Sequence, residues 1–287
     1  MGEGWRRCLR HSGFVAGAAL VLVFAGLAIA GAWLRIGDPL ATAPSRALLP
    51  PGAGHLFGTD AVGRDLAARV VAGARLSLLV GLLSRAVALL LGTGAGLLAG
   101  YFGGRVDGLL MRLADMTLAF PALLLLIAVV AAFGPSLPTL FLALGVLGWA
   151  PVARVLRSQV LSLRRQDFIE AARALGCRRR RILLRHLLPN LSGTLWVLFS
   201  MGMASAIIAE GSLSFLGLGA QPPQPSWGTL IRDGFGYLRS APWLTLIPGL
   251  CMALAVLGFN LLGDALRDLL DPAGTASSRT GAAGSRP

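Results

Sequence analysis

The sequence predicts an all-α polytopic membrane protein with six transmembrane helices, both termini cytoplasmic, and a short cytoplasmic helix between spans 4 and 5. Three observations carry this. The chain is 55% apolar and only 14% charged, with a mean hydropathy of +0.72, which leaves too little polar surface to cover a water-soluble globule. Charge-poor runs about as long as a bilayer is thick recur along it, continuously apolar rather than alternating as barrel strands do. Its cations are unevenly spread, ten of the 26 falling between residues 153 and 186.

An α-helix needs about 20 apolar residues, at about 1.5 Å of rise each, to cross the hydrocarbon core. Phe14 to Leu34 carries no charge and forms the first span. Its Ala28-Ile29-Ala30 resembles a signal-peptide cleavage site, but the apolar region is too long for one, so the span is read as retained. Leu76 to Tyr101, interrupted only by Arg85, forms the second. No charge appears from Met116 to Val152, too long for one crossing, and Gly134-Pro135-Ser136-Leu137-Pro138 breaks it into a helical hairpin, spans 3 and 4. Leu191 to Ala209 and Ala241 to Gly263 complete the six. The chain thus divides into an N-terminus (1–13), a first transmembrane helix (14–34), an extracytoplasmic segment (35–75), a core of five further spans (76–263) and a C-terminal tail (264–287). From Pro272 on, the tail is rich in Gly, Ala, Ser and Thr and is expected to be disordered.

All 26 cations are arginine. With the N-terminus inside, the inner segments hold eighteen of them and the outer segments seven, so the positive-inside rule places both termini in the cytoplasm. Arginines spread between apolar spans set topology and do not suggest nucleic-acid binding. Without lysine the chain has neither a P-loop lysine nor a Schiff-base lysine. Cys8, Cys177 and Cys251 form no CxxC pair, and His11, His55 and His186 are scattered, so no metal site or catalytic constellation is expected.

The inner loop from Arg154 to Pro189 carries the densest information. Asp167 is placed to cap a helix, and Glu170, three residues on, to complete a capping box. Phe168, Ala172 and Leu175 fall on one apolar face, and Gly176 is placed to end the helix in a left-handed conformation. Arg178 to Arg181 and Arg185 follow, and Pro189-Asn190 marks a turn into the next span. Such a helix suits a partner groove; it equally suits anionic lipid.

Glu170-Ala171-Ala172, three residues, Gly176, nine residues, then a string ending Leu188-Pro189 resembles the signature loop of ATP-binding-cassette importer permeases, with His186 where the general pattern prefers Ile. DFIEAARALG with RHLLPN is similar to the dipeptide, oligopeptide and nickel branch. FGTDAVGRD (57–65), GARLSLLVG (73–81), LSFLGLGAQPPQPSWG (213–228) and NLLGDALRDLLDP (260–272) resemble that branch in the same order. The resemblance covers about Phe57 to Pro272, plus the first span.

What it implies is a multi-pass subunit of the bacterial inner membrane that forms half of a pathway for di- or oligopeptides and binds no cofactor itself. It implies four kinds of partner: a second homologous permease, one or two ATPase subunits holding ATP and Mg, an extracytoplasmic solute-binding protein, and membrane lipid. The coupling helix it implies comprises Asp167, Phe168, Glu170, Ala171, Ala172, Leu175 and Gly176, with Leu188 and Pro189. Alternatives are the same importer carrying nickel or another small solute, or a self-sufficient secondary transporter or channel. The last predicts a mid-span coupling carboxylate or an inverted repeat, and the sequence suggests neither.

On the outer side, Gly58-Thr59-Asp60 with Gly63-Arg64-Asp65 predicts tight turns with local charge pairing, a structural cluster in preference to a docking site. Phe215, Leu216, Gly217, Leu218 and Gly219, followed by Pro222-Pro223 and Trp227, suit a re-entrant or surface segment, which the resemblance places at the outer mouth. At membrane depth, Arg85 is expected either to meet a substrate carboxylate or to pair with the second permease. Glu210, Asp115 and Asp264 fall near predicted span ends, where water or headgroups solvate them. Pro121 and Pro248 lie inside predicted spans as candidate kinks.

Overall fold

The computed structural model describes residues 11–31, 37–52 and 54–270. The predicted disorder after Pro272, Cys8 and the end of the predicted first span at Leu34 lie outside these residues. The fold class is as expected: the described residues are almost wholly helical, with only two isolated bridges, Gly52 to His55 and Thr59 to Asp65.

Helix α1 is Ser12–Ala30. Helix α2, Leu66–Phe102, runs for 37 residues, or about 55 Å, well beyond the roughly 30 Å hydrocarbon core. It starts well before Leu76, so the end of the segment read as extracytoplasmic (35–75) is helical. Asp65 caps it by accepting the Ala68 N–H at 3.0 Å. Helices α3 (Gly104–Ala119) and α4 (Ala122–Phe133) follow, then α5 (Leu137–Leu147) and α6 (Trp149–Leu163), which together make one apolar run. Helix α7 is Asp167–Ala174, α8 Ser192–Phe215, α9 Trp227–Phe235 and α10 Trp243–Leu270.

Among the described residues, five runs are long and apolar enough to cross a membrane. The sixth, predicted from Met116 onward, is not a straight helix: α3 and α4 meet at a bend of 89°. Pro121, read from sequence as a kink within a span, instead stands at this break, where it lacks the N–H to continue α3. Alone, α4 has 12 residues, about 18 Å, too short to cross. The turn at 134–136 is as expected, with Gly134 at φ +86° and Ser136 capping α5 by accepting the Thr139 N–H.

Helix α2 is the central element, packing against α1, α5, α6 and α8. Its tightest seam is with α6. A methyl group added at Gly92 would lie 2.5 Å from Val152 Cβ, at Gly96 2.8 Å from Leu156 Cβ, and at Gly100 2.7 Å from Val160 Cβ. Glycine every fourth residue lets the two backbones approach, the small-residue packing that substitutes in lipid for hydrophobic driving force. Helices α1 and α10 cross where Gly17 and Gly258 meet each other's chains.

The bundle has two ends. One gathers the 37–66 segment, the end of α8 and the 216–243 region. The other gathers the end of α2, the 164–190 loop and the end of α10, where His11 lies 3.6 Å from Asp268. Residues 11 and 270 therefore lie on the same side as the arginine-rich loop.

Gly96→Leu is expected to overpack the α2–α6 seam, costing about 1–3 kcal/mol. A lowered melting temperature and a larger aggregated fraction on size exclusion in detergent would register it, whereas Gly94→Leu, at a position with open space, should leave both unchanged.

Candidate functional site

At the arginine-rich end, α7 is held like a short rail. Ile169 and Ala172 face inward, packed into a cluster with Val152, Leu156, Val160, Ile182 and Leu187. The predicted apolar face is therefore split. Ala172 turns inward, but Phe168 is 39% exposed and Leu175 83% exposed. The cause is that α7 carries two apolar stripes, one headed by Phe168 and one by Ile169, and only the second meets the core. The capping box is also absent: Gln166 is the N-cap without a side-chain bond, and Asp167 and Glu170 sit in the first turn, where their charges suit the helix dipole. Ala171 is exposed beside them.

Gly176 ends the helix as predicted, at φ +74°. The Gly176 N–H donates to Arg173 O at 2.9 Å and the Cys177 N–H to Ala172 O at 3.0 Å, a Schellman closure with Cys177 packed into the same cluster. Beyond it the chain does not turn sharply at Pro189. It is helical from Arg179, passes through a π-helical stretch Ile182–Leu187, and continues through Leu188-Pro189-Asn190 to α8 after a brief interruption at Leu191. Pro189 would clash with the carbonyl one turn back, and widening the preceding turn relieves this.

Three loop arginines grip the end of α2. Arg164 donates to Gly100 O at 2.9 Å and Tyr101 O at 3.4 Å, satisfying carbonyls at a helix C-terminus. Arg173 lies 5.6 Å from the centre of the Tyr101 ring, and Arg179 lies 5.8 Å from that of Phe102. Arg157 makes a bidentate pair with Asp107, and Arg154 pairs with Asp115, which is exposed as expected. An open depression of about 580 Å³ lies beside the start of α7, lined by Leu161, Ser162, Arg165, Gln166 and Asp167.

At the opposite end, the Gly58–Asp65 cluster is structural, as its residues suggested. Asp60 accepts the N–H groups of Val62 (3.0 Å) and Arg64 (2.9 Å), Arg64 Nε (2.7 Å) and the Arg69 guanidinium. Burial pushes the Asp60 carboxyl up, but these hydrogen bonds and the Arg69 charge outweigh it, leaving its pKa below the ordinary 3.8. The Phe215–Gly219 segment lies alongside, with Phe215 edge-on to Phe235 and Leu218 packed on the α4–α5 cluster; Leu216 is exposed and Gly217 takes φ +82°. Trp227 is fully buried rather than at a surface. Its Nε1 donates to Val70 O at 3.1 Å, and its ring meets Phe24 edge-on at 5.5 Å.

The polar groups at membrane depth diverge from expectation. Glu210 is not solvated at a span end: α8 continues past it to Phe215, and the residue is 0% exposed. Asp264 is exposed, and Pro248 lies inside α10 as predicted. Arg85 is near the middle of α2, wedged where Gly202 of α8 has no side chain. One Nη donates to Leu198 O, Nε is buried without a partner, and no carboxylate among the described residues pairs with it.

Long apolar helices that present a short amphipathic helix at one end and a pinned, proline-rich segment at the other define the class of multi-pass membrane proteins. The chain belongs to the family of binding-protein-dependent transport system inner membrane components, which it matches over residues 92–274. It is thus the permease part of an ATP-binding-cassette transporter, a multi-pass protein of the inner membrane. It is 43% identical to a dipeptide transport system permease protein, DppC, of Alkalihalophilus pseudofirmus, over 94% of this chain and 89% of that protein. It is 43% identical to the oligopeptide permease OppC of Haemophilus influenzae over 76% and 70% of the two chains, and 41% identical to the glutathione permease GsiD of Pectobacterium atrosepticum over 94% and 90%.

Because the folded pKa of Asp60 lies below its ordinary value, its stabilisation is complete above about pH 3.8 and fades as pH falls through the lower folded value. Asp60→Asn should therefore cost about 1–3 kcal/mol at neutral pH, with the gap from wild type constant down to about pH 3.8 and closing below it, read from melting temperatures across about pH 2 to 7. Arg85→Met should instead raise the melting temperature of the isolated chain, by about 1–4 kcal/mol in stability, since it removes a buried charge that the described chain leaves uncompensated.

Proposed function

We propose that this chain forms half of the translocation pathway of a peptide importer and does no nucleotide chemistry of its own. ATP and Mg are held by one or two separate ATPase subunits, and a second, related permease completes the pathway. An extracytoplasmic binding protein delivers substrate to the Trp227 end. The arginine-rich end, with both termini, faces the cytoplasm, as the arginine distribution supports. Three relatives named for dipeptides, oligopeptides and glutathione support a peptide as the cargo. The absence of lysine from the sequence supports placing hydrolysis elsewhere, since the phosphate-cradling loop of such motors needs one.

The observation that carries the coupling role is the division of labour on α7. Ile169 and Ala172 fasten it to α6 and to the π-helical stretch, while Phe168 and Leu175 stay exposed on a surface that includes Glu170 and Ala171. An exposed apolar pair on a rigidly seated helix suits a groove in an ATPase subunit, and the seat makes any push on the helix a push on α6 and α2. Arg85 lacks a carboxylate in its own described chain, which supports an anion from outside it, on the second permease or on passing substrate.

Phe168→Asp combined with Leu175→Asp should abolish co-purification of the ATPase subunits and ATP-dependent peptide uptake, with unchanged amounts of the chain in the membrane. Retention of both by the double variant would overturn the coupling assignment.

A further inference from the structure

Glu210 lies near the end of α8 with no exposed surface, and its partners are hydroxyls rather than cations. Each carboxylate oxygen accepts from a different serine: Oε2 from Ser77 of α2 at 2.8 Å, and Oε1 from Ser214, one turn along α8, at 2.6 Å. A hydroxyl that donates its proton still has lone pairs with which to accept. Both serines use them on the segment that leaves α8. Ser214 Oγ accepts the Ala220 N–H at 3.2 Å, and Ser77 Oγ accepts the Trp227 N–H at 3.3 Å.

The two relays end at the two ends of one loop. Between Ala220 and Trp227 run Gln221-Pro222-Pro223-Gln224-Pro225-Ser226, in which three prolines have no N–H to donate. Gln221 to Gln224 are exposed, whereas Ala220, Ser226 and Trp227 are buried. The Gln224 N–H is used within the segment, on Gln221 O, and the Ser226 N–H on Thr229 Oγ1 of α9. Attachment of the loop to the α2–α8 pair thus includes two backbone donors, both reached through the same carboxylate.

We propose that Glu210 is the positioning residue of this mouth segment: one buried carboxylate, acting through Ser214 and Ser77, holds both ends of residues 220–227 in register and so sets the resting position of the gate at that end. The assignment rests on the importer reading above. An acceptor on each side is required, which a carboxylate supplies with both oxygens and an amide with only one. Each hydroxyl donor is itself polarised by the N–H it accepts, which strengthens its bond to the carboxylate.

The experiment uses the complete importer, with ATPase subunits and binding protein, reconstituted in vesicles, and reads amide hydrogen exchange in residues 216–230 together with uptake and ATP hydrolysis. Glu210→Ala should speed exchange at both ends of the segment roughly tenfold. Ser214→Ala should speed it at Ala220 alone and Ser77→Ala at Trp227 alone, and neither should add to Glu210→Ala. Uptake should fall several-fold while ATP hydrolysis without binding protein rises, because a gate that no longer rests in one position ceases to restrain the motor. Exchange unchanged in the serine variants, or altered alike at both ends by each, overturns the relay. Faster exchange with unaltered uptake and hydrolysis overturns the gating role. Co-purification of the ATPase subunits should persist in every variant; if the wild-type chain itself fails to bind them, it is the importer reading that falls.

Discussion

The close approach of α2 and α6 along Gly92, Gly96 and Gly100 is the constraint on which the rest of this structure depends. In lipid, helices gain little by hiding apolar surface from one another, so association rests on how closely backbones fit. A seam that brings Val152, Leu156 and Val160 onto bare backbone fixes the rotation and height of α6 against α2. That in turn fixes where α6 ends, hence where α7 starts and which of its faces finds Ile182 and Leu187. The rail at the arginine-rich end is positioned by glycines whose contacts on α6 lie about two to four turns before it.

Two buried ionisable side chains, Glu210 and Arg85, are treated in opposite ways. Glu210 is given a hydroxyl for each oxygen, and each hydroxyl is tied onward to backbone, so its burial is bound up with the position of the mouth segment. Arg85 is given space, through Gly202, but a single carbonyl as partner. A buried charge with one acceptor is costly in isolation, whereas the same charge in an assembly that brings an anion is not. One group is completed by the described residues, and the other is left incomplete by them.

Much of the architecture was legible because membrane thickness is a hard ruler. The runs of α1, α2, α8 and α10 stand out by hydropathy, and Gly176 and Asp60 by local chemistry that needs no tertiary information: a left-handed cap, and a carboxylate two and four residues from the N–H groups it accepts. What failed to show depended on three-dimensional partners. Hydropathy sees Met116 to Phe133 as unbroken and is blind to a bend at Phe120-Pro121. Adjacent Phe168 and Ile169 are equally apolar, so only the neighbouring cluster decides which turns inward. A span ended at its first charge puts Glu210 at the boundary, whereas α8 runs on to Phe215. The serines at 77 and 214 were the available signal, since small hydroxyls in apolar runs are the partners a buried carboxylate requires.

Taken together, these contacts make α2 the element common to both ends. Its C-terminus is held by Arg164 and stacked on by Arg173 and Arg179, and its N-terminal half carries Ser77 and Val70, which hold Trp227. Between them lie about six turns of helix without a proline, in contrast to α10 with Pro248 and to the break between α3 and α4. An uninterrupted helix resists bending because a bend must lengthen hydrogen bonds along one side, so a displacement applied through the loop arginines is carried along its axis. The mouth segment is tied to that same axis through Ser77. A shift of α7 therefore has a path to residues 220–227 that does not require the pathway itself to deform first, and the glycine seam keeps α6 moving with α2 instead of sliding past it.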